Sequence, residues 1–97
     1  MEEVKKKISK EFYKKVVDTY GKQQVVIAIE DLSELQKELC KALRCKANFD
    51  NITEEIADVE IMLEQMKIYF GINEEEIKGM KKLKIKRTIQ RLGIKEE

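Results

Sequence analysis

A chain of 97 residues with 42% apolar and 40% charged side chains, no Pro and no His fits a single helical domain over 1–97, near the lower end of comfortable size. Twenty Lys and Arg against nineteen Asp and Glu leave a net charge of +1, which excludes a global field for a nucleic-acid polymer or a membrane surface. The longest apolar run is Val25–Ile29, so no transmembrane segment or signal peptide is read, and a cytoplasmic protein with reduced Cys40 and Cys45 is expected.

The punctuation predicts four helices and an all-α fold. The first runs from about Glu3 to Thr19 and stops at Gly21, a residue suited to a left-handed helix end. The second spans Gln23–Leu43. A polar loop over Arg44–Asn51 follows, in which Asn51 and Glu54 read as a capping box for a third helix, Thr53–Phe70, closed by Gly71. Asn73 and Glu76 repeat that signal for a fourth helix ending before Gly93. The fourth carries Lys81, Lys82, Lys84, Lys86, Arg87 and Arg91 between Met80 and Arg91 without an acid among them.

Acids define the candidate site. The second helix carries Glu30-Asp31-x-x-Glu34 and the third Glu54-Glu55-x-x-Asp58, and residues three apart share a helix face. If the two helices are antiparallel, Asp31 faces Asp58 and Glu34 faces Glu55, since both pairs of numbers sum to 89. Extended along the chain, this rule puts the crossing near residues 44–45, ahead of the loop's midpoint, so the helices are expected to be staggered. Four anions brought together repel by about 1 kcal/mol per close pair in water, and more in a drier cleft. A hard cation such as Mg²⁺, with Mn²⁺ as its substitute, would relieve that repulsion with oxygen ligands alone.

A solvated outer face competes with this reading. On the second helix, Val25, Ala28, Ile29, Leu32, Leu35 and Leu39 form an apolar stripe with Asp31, Glu34 and Glu38 roughly opposite, as solvated acids would be. Ile27 shares the acidic side, however. On the third helix, Glu60, Glu64 and Lys67 mark the solvated side, whereas Glu55 and Asp58 fall beside Met62, Met66 and Tyr69. Acids on such an arc need either Lys or Arg from the fourth helix or a metal.

These motifs resemble the MazG-like, all-α nucleoside triphosphate pyrophosphohydrolases: Glu30-Asp31-Leu32-Ser33-Glu34, then Glu55-Ile56-Ala57-Asp58, within a similarity reaching from about Gly21 to Leu92. The resemblance implies Asp31, Glu34, Glu55 and Asp58 as Mg²⁺ ligands, Asp31 standing where the family usually has Glu. It also implies hydrolysis of a (d)NTP to the monophosphate and pyrophosphate, in service of nucleotide-pool house-cleaning. Without His, the general base falls to a carboxylate or to metal-bound hydroxide, with Glu30 and Glu38 as candidates. Without a Gly-rich phosphate loop, cationic side chains must hold the phosphates. Lys84, Arg87 and Arg91, three and four apart, are the candidates. Gln24 could hydrogen-bond a base, and Tyr20, Phe49 or Tyr69 could stack on one.

Two helices that are apolar on more than one side favour an oligomeric helical bundle, a homodimer or homotetramer. The resemblance agrees, with neighbouring subunits helping to form the cleft. Two alternatives stand. One is a noncatalytic helical interaction module, adaptor or antitoxin-like. The other is a related phosphoribosyl-ATP or dUTP pyrophosphohydrolase.

Overall fold

The computed structural model describes the backbone of residues 2–95 and the side chains of 10–95. Every regular element among them is a helix: α1 Glu2–Tyr20, α2 Gln23–Leu43, α3 Phe49–Phe70 and α4 Glu74–Leu92. None is long and apolar enough to cross a membrane.

The ends follow capping chemistry. At α4 the capping box is complete: the Asn73 side chain accepts from the Glu76 N–H at 2.8 Å and Glu76 accepts from the Asn73 N–H at 3.2 Å. At α3 the expected start is corrected. Asn48, not Asn51, is the cap, its Oδ1 accepting from the Asn51 N–H at 3.0 Å. Phe49 and Asp50 therefore join the helix, with Asp50 favourably placed at the positive end of its dipole. The connection shortens to Arg44–Asn48, which removes much of the expected stagger between α2 and α3.

The other end of that connection holds a residue no sequence signal marked. Cys45 has φ +61°, and it follows α2 in a Schellman arrangement: Cys45 N–H to Ala42 O at 3.1 Å and Lys46 N–H to Lys41 O at 3.0 Å. An L side chain in the left-handed region costs about 1–2 kcal/mol, part of which glycine returns through its freer unfolded chain. Cys45→Gly is therefore expected to raise unfolding stability by about 0.5–1 kcal/mol in a denaturant titration; a lower midpoint would show that the thiol makes a contact of its own.

Packing centres on an antiparallel α2–α3 hairpin. Gln24 Nε2 donates to Gln65 Oε1 at 2.7 Å between two buried side chains, and their numbers also sum to 89. The register drawn from the acids is the one this amide pair occupies. Ala28, Val59 and Met62 are buried along with the pair, while Asp31 and Leu35 are half-buried. α1 lies chiefly against α3, with Val17 buried, and α4 packs against none of the other three helices.

One expectation for α2 is corrected in part. Of its apolar stripe, Ala28 is buried and Val25 and Leu35 are half-buried, but Ile29, Leu32 and Leu39 are exposed, and the line set against α3 runs through Gln24, Ala28, Asp31, Leu35 and Glu38, so that two of the three acids expected in solvent are drawn toward the seam. No large side chain among the described residues is completely buried. The radius of gyration is 16.7 Å, where a compact chain of this length has about 13 Å.

Candidate metal and phosphate site

Asp31 and Glu34 come from the middle of α2, and Glu55 and Asp58 from the second and third turns of α3. The hairpin brings the two pairs to the same level. Partial burial pushes the Asp31 carboxyl above its ordinary range, and the negative charge of Asp58 across the seam, with Glu30 and Glu34 on its own helix, adds to the rise. Glu55 is raised as well, first by loss of solvent, then by Asp58, Glu34, Glu54 and Asp31. Each helix thus feels the acids of the other.

None of the four forms an ion pair among the described residues. This bears on the structural explanation offered for acids beside an apolar arc. The basic fourth helix does not reach them, since α4 touches neither α2 nor α3 through its body. Its recorded tie is at its first turn, where Lys67 on α3 bonds Glu74 as well as Glu64 at 2.9 Å. Those bonds hold the Glu74 carboxyl below its ordinary range and raise Lys67.

The donor chemistry fits a hard divalent ion, with carboxylate oxygens from two rigid elements and no nitrogen or thiolate among them. The side chains are not gathered, however. Among the described residues no three Asp, Glu or Cys groups stand close enough to share one ion. Like charges favour rotamers that hold their oxygens apart.

The two base candidates differ sharply. Glu30 lies in solvent. Glu38 is buried; Lys41 Nζ lies 3.3 Å from its Oε2, while its Oε1 has no hydrogen-bond partner. A buried oxygen without a donor is costly.

Lys84, Arg87 and Arg91 do share one side of α4, bordering a shallow depression with Thr88 and Gln90. Arg91 Nη2 donates to Thr88 Oγ1 at 3.2 Å. They are together with one another but not with the four acids of the same chain. The base-pocket residues fare less well. Gln24 is buried and committed to Gln65, so it is not free to read a base. Tyr69 is edge-on to Phe70 with ring centroids 4.9 Å apart, while Tyr20 and Phe49 are exposed. The Gln24–Gln65 bond itself went unread, although 24 and 65 obey the same sum as the acids.

No protein-family profile, curated protein or solved structure matches the chain.

Proposed function

We propose that the chain is a Mg²⁺-dependent nucleoside triphosphate pyrophosphohydrolase of the MazG-like kind, working as a homodimer or homotetramer on (d)NTPs. The observation that carries the reading is the set of four acids, Asp31, Glu34, Glu55 and Asp58, set at one level of the α2–α3 hairpin with no ion pair to any of them among the described residues. Acids retained in such positions without a structural partner are best explained by a ligand that is itself cationic.

Bound there, Mg²⁺ would neutralise phosphate oxygens and lower the pKa of an attacking water. The chain's own residues do the rest. Asp31, Glu34, Glu55 and Asp58 position the ion. Glu38, or Glu30 from solvent, accepts the proton as the water oxygen bonds to the α-phosphorus. The bond from that phosphorus to the bridging oxygen breaks, and pyrophosphate leaves with the electron pair. Lys84, Arg87 and Arg91 hold the phosphates, and because their own hairpin is out of reach, they would do so at the site of another subunit.

A panel of ribo- and deoxynucleoside triphosphates with Mg²⁺, detecting pyrophosphate separately from orthophosphate, tests the reaction. Phosphoribosyl-ATP and dUTP belong in the panel, since exclusive use of either would move the chain to the related activity. For the phosphate side, Arg87→Ala is expected to raise KM about tenfold with a smaller change in kcat, the mark of an interaction present before the transition state. An unchanged KM would remove α4 from the site.

A second reading has an observation of its own. The exposed apolar residues of α2 and the detached α4 also suit a noncatalytic helical interaction module. Turnover of no nucleotide in the panel, with an unchanged melt in Mg²⁺, would favour it.

A further inference from the structure

Ile29, Leu32, Leu39 and Leu43 are 59%, 49%, 49% and 87% exposed. With Val25 and Gln36 they lie along α2 at successive steps of four, three, four, three and four, the spacing of a heptad seam. At 100° per residue this stripe is about a quarter turn from the line of Gln24, Ala28, Asp31, Leu35 and Glu38 that meets α3. It is therefore a second face rather than a loose edge of the hairpin. α1 packs chiefly on α3, and α4 on none of the other helices among the described residues, which leaves these side chains exposed.

The exposed area is large enough for a partner. The chain exposes 8458 Å², whereas a compact protein of 11.4 kDa exposes about 5,800 Å². A standard interface takes about 800 Å² from each side, well within that surplus. We propose that a second copy of this chain covers the stripe, α2 against α2, with the two helices antiparallel about a two-fold axis.

The spacing suits that orientation. The order four, three, four, three, four reads the same in either direction. Two antiparallel copies therefore place Val25 opposite Leu43 of the other copy, Ile29 opposite Leu39, and Leu32 opposite Gln36. The two Gln36 side chains then flank the axis, and a lone polar residue on such a seam sets register. Ser33 and Cys40 beside the seam are small and let the helices approach. Glu30, Asp31, Glu34, Lys37 and Lys41 lie on the other sides of α2, which leaves the seam itself free of charge. The inference gives the proposed oligomer its contact surface. Because the test reads mass and not turnover, the interface and the hydrolase reading can fail separately.

Sedimentation of the full chain is expected to show a dimer or a multiple of one at micromolar concentration. Leu32→Glu and Leu39→Glu are each expected to weaken association about thirtyfold or more while helical circular dichroism persists. A monomeric wild type, or helical variants that associate as before, would overturn the proposal. Cysteine cross-linking decides the orientation without charging the seam. In a Cys40→Ser, Cys45→Ser background, Ile29→Cys mixed with Leu39→Cys should form a mixed disulfide on oxidation, with little cross-linking of either alone. Efficient self-cross-linking of Ile29→Cys, without the mixed product, would mean parallel helices and would overturn it.

Discussion

Glu55→Gln is expected to lower Mg²⁺-dependent pyrophosphate release by about a hundredfold or more while making the metal-free protein melt higher, not lower. The amide keeps the shape of the side chain and discards its charge. In the folded chain that charge is unwelcome, because Glu55 has lost solvent and faces Asp58, Glu34, Glu54 and Asp31. Removing it relieves repulsion that the unfolded chain does not feel, so the folded state gains. The reaction loses instead, since a metal ligand contributes several kcal/mol of charge stabilisation in the transition state and each 1.36 kcal/mol is tenfold in rate. A gain in stability coupled to a loss of turnover is the signature of an acid kept for chemistry. An acid kept for structure would show the reverse, a lower melt, as its partner was stranded. Measuring both on one preparation separates the two, and turnover retained in Glu55→Gln would end the case for this residue as a ligand.

The helices were legible because their ends are written in short-range chemistry. α2 occupies Gln23–Leu43, as expected, and the Asn73–Glu76 box starts α4. The start of α3 was read one turn late because two asparagines compete: Asn48 and Asn51 are each competent caps, and only the backbone shows that Asn51 donates to Asn48. Facing acids were legible from residue numbers alone, and the Gln24–Gln65 pair obeys the same sum. What the sequence hid was which face of α2 meets α3. Periodicity finds an apolar stripe but not its partner, and here the partner of Ile29, Leu32 and Leu39 is not in the chain's own hairpin. The detachment of α4 did leave a sign. Its apolar residues have no common side, Met80 and Leu83 falling away from Ile85, Ile89 and Leu92, with Lys84 and Arg91 between them on one side and Lys82 and Lys86 on the other. A helix with no single apolar face has no strong reason to dock on its own bundle.

Mg²⁺ at pH 7 is expected to raise the melting temperature of the wild type and leave that of Glu55→Gln nearly unmoved. An ion that binds only the folded hairpin adds about 2.7 kcal/mol at a hundred times its dissociation constant, which for a domain of this size is a shift of about 10 °C or more. The concentration of protein must be held constant, because self-association also moves the melt. The pH dependence runs in a direction that identifies the groups. Asp31 and Glu55 have ordinary values of 3.8 and 4.5 and are raised in the folded chain. Over the interval above those values the folded state keeps protons that the unfolded state has released, so stability falls as pH rises through it. Metal-free wild type should therefore lose ground to a Glu55→Gln, Asp31→Asn double variant on going from pH 4 to pH 7, and Mg²⁺ should restore it more at pH 7 than at pH 4, where protons compete with the ion for Asp31 and Glu55. Glu74, lowered by Lys67, has the opposite slope, but it is present in both proteins and cancels from the difference. A wild-type melt indifferent to Mg²⁺ at pH 7, with no widening gap between pH 4 and pH 7, would mean that the four acids neither bind the ion nor repel one another enough to need it.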